Sequence, residues 1–302
     1  MDAKFILLAA LVALTVAYLA SWFVIARRRR AAGGHGAHEP IAPRPVHLAI
    51  GAVTNFFDTL GIGSFATTTA AYKSWKLVPD EQIPGTLNVG HTVNAVIQAL
   101  VFISVVQVEF RTLILMIGAA CAGAWLGAGI VAGLSRRMVQ LGMGTALLGA
   151  SVIVLAQLFN LAPGGEALAL SGTRLVLGVG GNFVLGALMT LGVGLYAPCM
   201  VLVSVLGMDP TAAFPIMMGS CAFLMPVASL QFARKNAYNL RAAVGLALGG
   251  PLAVLLAIWL VTSLPTTMVR VLVLCVILYT AITMLRSASR EAAGARRAVP
   301  AA

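Results

Sequence analysis

Thr59-Leu60-Gly61-Ile62-Gly63 reads TLGIG, and Thr190-Leu191-Gly192-Val193-Gly194 reads TLGVG. Both lie inside long apolar runs. Glycine in a helix interior costs about 1 kcal/mol relative to alanine, so each glycine pair marks a place where a helix is expected to break. A shift of 131 residues lays 59–84 on 190–215 with seven identities in 26 positions. Thr59, Leu60, Gly61, Gly63, Ala66, Pro79 and Pro84 meet Thr190, Leu191, Gly192, Gly194, Ala197, Pro210 and Pro215. With one residue of slippage, LSRRMVQL (134–141) meets LPTTMVRV (264–271). The chain reads as a duplication with halves 46–160 and 175–286, joined by a loop over 161–174.

Composition sets the medium. Of 302 residues, 60% are hydrophobic and 10% charged, whereas a soluble domain carries about 25% charged residues. The class is an integral membrane protein. Apolar stretches of roughly 20 residues point to helices, because a barrel would alternate over segments of about 10. The net charge of +11 does not call for nucleic acid, since the basic residues flank apolar segments, where they set orientation. The four cysteines lie within apolar segments without a CxxC pair, which excludes a disulfide framework or an ordinary zinc site. No metal and no cofactor are expected.

Phe5–Ile25 is an apolar run followed by Arg27–Arg30. A signal peptide carries its charges before the apolar run and a small-residue cleavage site after it. Residues 1–30 therefore read as a retained transmembrane helix with its N-terminus outside. A Gly/Pro/His linker follows over 31–45, in which His35 and His38 read as solvated. Apolar stretches then run over 46–72, 85–107, 112–134, 138–160, 175–207, 212–233, 240–262 and 268–286, before a basic tail (287–302) expected to be disordered.

Two topologies fit. If 46–72 and 175–207 each dip into the membrane and return, only Lys4, Arg111, Arg174 and Arg270 of the 20 Lys and Arg fall outside, leaving 16 inside. If both span, Arg136 and Arg137 fall in a very short outside loop, against the positive-inside rule. The expected fold is an all-α polytopic membrane protein of two inverted repeats. Each repeat has a broken, re-entrant helix hairpin plus three transmembrane helices, and one extra helix precedes both. The C-terminus is expected in the cytoplasm, and the location is the cell (inner) membrane.

A broken helix in lipid exposes amides and carbonyls that must be satisfied by protein or by a wet cavity. In transporters, paired breaks at matching positions of two repeats point to the substrate site near the midplane. After each Gly-x-Gly a half-helix can begin, near Ser64 and Leu195. Its free N–H groups and dipole attract an anion. Thr59, Gly61, Gly63, Ser64, Thr190, Gly192 and Gly194 are therefore candidate substrate-binding residues. Asn55 precedes the first break. Asn88, His91 and Asn94 join the candidates, because their three-residue spacing reads as roughly one helix face, and Tyr196 and Ser220 add polar groups from the second half. Asp58 has two readings: a proton carrier, alone or with His91, or a cap accepting N–H bonds at the break. No catalytic constellation, P-loop or HExxH is present, so no enzyme is expected.

The segments AIGAVTNFFDTLGIGSFATTTAAYK and IPGTLNVGHTVNA, with GNFVLGALMTLGVGLYAP and FPIMMGS in the second half, resemble the sulfite exporter TauE/SafE family of membrane permeases over about 46–286. The resemblance implies a multi-pass transporter of a small anion, a sulfur oxyanion or organosulfonate such as sulfite or sulfoacetate. It implies export, with proton coupling open, and points at Thr59, Gly61, Gly63, Thr190, Gly192 and Gly194. The chain departs from the family's three consecutive glycines, having Ser64 after Gly63 and Leu195 after Gly194. The rival readings are a passive anion channel and a non-transporting membrane scaffold or assembly factor. The partners expected are the anion, the lipid bilayer and a homo-oligomer contact.

Overall fold

The computed structural model describes residues 3–31, 41–131, 136–159, 165–189 and 194–298. Eleven α-helices account for nearly all of them. They are α1 (Ala3–Ala31), α2 (Pro45–Thr59), α3 (Ser64–Ser74), α4 (Ile83–Val105), α5 (Phe110–Val131), α6 (Arg136–Leu158), α7 (Gly172–Met189), α8 (Tyr196–Val205), α9 (Ala213–Lys235), α10 (Leu240–Ser263) and α11 (Thr266–Ala298). Single 3-10 turns, Asp80–Gln82 and Pro210–Ala212, lead into α4 and α9. No strand occurs among the described residues; Ala167 and Met208 form an isolated bridge.

Among the described residues, seven helical stretches are long and apolar enough to cross a membrane: Ala3–Arg28, Asp80–Val105, Arg137–Ala156, Gly172–Met189, Pro210–Lys235, Leu240–Ser263 and Thr267–Ser289. Phe110–Leu126 and Tyr196–Val205 are shorter apolar stretches. The architecture is that of an all-helical, membrane-spanning protein, because an apolar segment closes its own backbone hydrogen bonds only as a helix. The order of elements recurs along the chain. Helices of 15, 11, 23, 22 and 23 residues (α2–α6) are followed by helices of 18, 10, 23, 24 and 33 (α7–α11).

Residues 287–298 depart from the expected disordered tail, since α11 stays helical to Ala298. Ala, Arg and Glu are strong helix formers, which favours propagation past the apolar stretch. Of the 31–45 linker, 32–40 lies outside the described residues, and Pro45 already opens α2. Proline suits the first helical position, where no backbone N–H is needed.

The helices group into two compact units, one of Met1–Val106 with Met218–Ser263, the other of Gln107–Met217 with Leu264–Ala302. Each unit draws helices from both halves of the sequence. In the first, α2 and α4 pack on α10 and α1 packs on α4. Contact of α2 with α10 is close because Gly51 meets the backbone of Gly245 and Leu246, while Gly249 meets that of Leu48. Small residues let helices approach to backbone contact, the usual device where lipid supplies no hydrophobic drive. The first helix is held by Tyr18, which is buried and donates to the carbonyl of Val89 at 3.1 Å, and by Trp22, whose indole donates to the Tyr238 hydroxyl at 3.0 Å. In the second unit, α5 packs on α7 and α6 on α11. Gly123 abuts the Phe183 carbonyl and Gly186 the Ala120 carbonyl. Asn182 of α7 donates to the Met116 carbonyl of α5 at 2.7 Å.

Candidate functional site

The break expected at TLGIG is present. α2 ends at Thr59, α3 begins at Ser64, and Leu60–Gly63 is non-helical. The amide of Gly61 bonds the Asp58 carbonyl at 2.8 Å and that of Ile62 bonds the Phe57 carbonyl at 3.1 Å. This pair of bonds is a Schellman cap, which needs its turning residue in the left-handed region. Gly61 supplies it with φ +97. Gly63 follows at φ +86 and ψ 128, a conformation that essentially only glycine takes. The first glycine thus ends one helix and the second re-aims the chain into the next.

Asp58 occupies the N-terminus of α3. Its Oδ1 accepts the Ser64 N–H at 2.6 Å, and its Oδ2 accepts from Gln98 Nε2 at 3.0 Å. An N–H donor thus faces each carboxylate oxygen, and the helix dipole favours negative charge there. The same Gln98 nitrogen donates to Thr59 Oγ1 at 2.9 Å, and Thr59 Oγ1 donates to the Asn55 carbonyl at 2.8 Å.

His91 continues the network. Asn55 Nδ2 donates to the Gly51 carbonyl at 2.7 Å, which fixes its Oδ1 as the acceptor facing His91 Nδ1 at 3.0 Å. The imidazole proton therefore sits on Nδ1, and in the neutral ring Nε2 accepts from Thr68 Oγ1 at 3.1 Å. Asn55, Asp58, Thr59, Ser64, Thr68, His91 and Gln98 are all at most 4% exposed. Polar groups from α2, α3 and α4 so form one continuous buried chain around the break.

Of the other expected site residues, Asn88 is half-buried and bonds back to the Pro84 carbonyl of its own helix. Asn94 donates to the Leu246 carbonyl of α10 at 3.0 Å and lies over Gly250. Asn88, His91 and Asn94 thus share no partner. Ser220 is buried in the first unit. In the second unit α7 stops at Met189 and α8 starts at Tyr196, which is buried, with Gly194 exposed ahead of it. Thr190 and Gly192 lie outside the described residues.

Gln98 and Thr68 were not among the expected site residues. The signal for Gln98 was its seven-residue spacing from His91, which returns to nearly the same helix face. Thr68 stands one helical turn after Ser64, a spacing that places both on one face of α3.

His91→Leu is expected to lower stability by roughly 1–3 kcal/mol, because it leaves the Asn55 and Thr68 side chains without their imidazole partner. Unfolding of the purified protein in detergent measures it, with His91→Gln expected to lose less.

No protein-family model, curated protein or solved structure matches the chain.

Proposed function

We propose that the chain is a secondary transporter of a small anion, built as two inverted repeats, with the anion held at helix breaks. The observation that carries this reading is the break at 60–63, where a carboxylate and an amide network lie buried at a helix N-terminus within otherwise apolar helices. Intramembrane ionisable groups are expensive and are usually functional. The resemblance to TauE/SafE permeases supports a sulfur oxyanion or organosulfonate as the substrate class, and the cell membrane as the site of action.

Coupling follows from electrostatics. The N–H end of α3 that suits an anion already holds Asp58. Two negative charges close together in a low dielectric repel strongly. Anion entry at that end therefore requires a proton on Asp58, and the two move in the same direction. Under an inward proton gradient this stoichiometry favours uptake, so export needs an outward anion gradient that exceeds it.

Proteoliposomes of the purified protein test the reading. Saturable flux is expected for one or more of sulfite, sulfate, thiosulfate, sulfoacetate and simple carboxylates, accelerated by a proton gradient. Asp58→Asn is expected to remove the acceleration. Flux that never saturates would instead make the protein a channel. The absence of flux for every anion would leave a membrane scaffold, a reading favoured by how completely the break is filled by the protein's own side chains.

A further inference from the structure

We infer that the first unit carries a second, separate oxyanion pocket, formed by His47, Tyr72 and the basic side chains around them. His47 opens α2 and Tyr72 lies near the end of α3. They are 3% and 0% exposed, and their rings meet edge to face with centroids 6.1 Å apart. Neither nitrogen of His47 has a hydrogen-bond partner among the described residues, and neither does the Tyr72 hydroxyl. Buried polar atoms in folded proteins nearly always find partners. Three orphaned atoms on adjoining rings call for a ligand that brings the partners with it.

The surroundings say which kind. Tyr72 walls a cavity of about 300 Å³, completed by Lys73, Lys76, Val78, Pro79 and Asp80. The guanidinium groups of Arg44 and Arg241 are near enough to act electrostatically on the imidazole of His47. Four cations thus bear on this region. The acid in the cavity wall, Asp80, lies 3.5 Å from Lys73 Nζ. Hydroxyl, imidazole and ammonium donors together suit a tetrahedral oxyanion, to which charge-assisted hydrogen bonds are strong. The neutral imidazole offers one donor and one acceptor, so an oxyanion serves its N–H, the Tyr72 hydroxyl and the lysine ammonium groups, and leaves the other ring nitrogen to a buried water.

The oxyanion has two sources. It is either a free ion such as phosphate or sulfate, or the phosphate of an anionic lipid. The lipid source is in reach because Trp75 is 60% exposed beside Lys73 and Lys76, and Trp and Lys are the residues that seat at a membrane–water boundary. The pocket stands whether or not the protein transports, because it is read by binding and not by flux.

The test uses the full chain in nanodiscs of neutral phosphatidylcholine. Sodium sulfate and sodium phosphate are titrated against sodium chloride of equal ionic strength, with calorimetry and thermal unfolding as readouts. A parallel arm uses discs containing phosphatidylglycerol and no added oxyanion. Stabilisation beyond chloride in neutral discs assigns the free ion, and stabilisation by phosphatidylglycerol alone assigns the headgroup. In whichever arm binds, Tyr72→Phe and Lys76→Gln are each expected to weaken affinity about tenfold or more. Ligand-free Tyr72→Phe is expected to unfold at the parent temperature or above, since it deletes a hydroxyl that bonds nothing. The inference is overturned if neither arm stabilises the parent, or if both variants respond as the parent does.

Discussion

Asp58→Leu is expected to destabilise the first unit by roughly 2–6 kcal/mol. The carboxylate satisfies two donors, the Ser64 N–H that opens α3 and the amide of Gln98. Leucine fills the space and bonds neither. Each buried donor left without a partner costs about 1–3 kcal/mol. An apolar replacement is normally welcome in a membrane helix, so a plain hydropathy argument predicts the opposite sign. Asp58→Asn keeps an acceptor for Ser64 but turns an NH₂ toward the Gln98 donor. Gln98 can rotate its amide to meet it only by giving up its bond to Thr59, so Asn is expected to fall between the parent and Leu. Chemical unfolding in detergent measures the series. A leucine variant as stable as the parent would show that Asp58 is not what holds the break.

A comparably large effect is expected for Gly123→Ala and Gly186→Ala in the second unit. A Cβ at Gly123 would lie well under 3.0 Å from the Phe183 carbonyl oxygen, and one at Gly186 would meet the Ala120 carbonyl in the same way. The obstacle is backbone, which cannot turn aside as a side chain can. The two helices would have to separate along the seam that includes the Asn182 bond to Met116. Overpacking costs about 1–3 kcal/mol where neighbours can adjust and more where they cannot, so a loss of about 3 kcal/mol or above is expected from either single methyl. Gly118 is the control. It lies on the same α5, and an added Cβ there has no described atom within 4 Å. Gly118→Ala is expected to be neutral or to stabilise by up to about 1 kcal/mol, through helix propensity alone. Equal losses at 118 and 123 would mean that the close approach of α5 and α7 is not the cause.

The helices and the first break were legible because each depends on local sequence. Apolar runs of sufficient length leave a membrane chain little choice but helix, and Gly61 and Gly63 write positive φ into the chain directly. The starts of α3 and α8 fell at or beside the expected Ser64 and Leu195. The partners were less legible. Asp58 meets Gln98 across 40 residues and His91 meets Asn55 across 36, and no local pattern states such a pairing.

The polar face on α4 shows why. A spacing of three residues falls short of a helical turn and drifts by about 60° each step, so Asn88 and Asn94 point about 120° apart. A spacing of seven drifts by only about 20°. His91 and Gln98 therefore share the face toward α2, and Asn88 and Asn94 do not. Equally, the pairing of α2 with α10 and of α5 with α7 is invisible to periodicity. An apolar stripe says that a helix has a neighbour without saying which one.

That pairing also shapes how the molecule must be made. Between the end of α2 at Thr59 and the start of α10 at Leu240, the ribosome adds about 180 residues, which at about 5–20 residues per second takes roughly ten to forty seconds. Through that interval His47 of α2 is without the helix whose Gly245 will lie against it. Nascent α2, α3 and α4 can close the polar chain among themselves as soon as α4 emerges, so the Asp58–Gln98 bond doubles as a holding arrangement during biogenesis. A chain stopped near residue 160 would keep that bond, yet neither unit could finish.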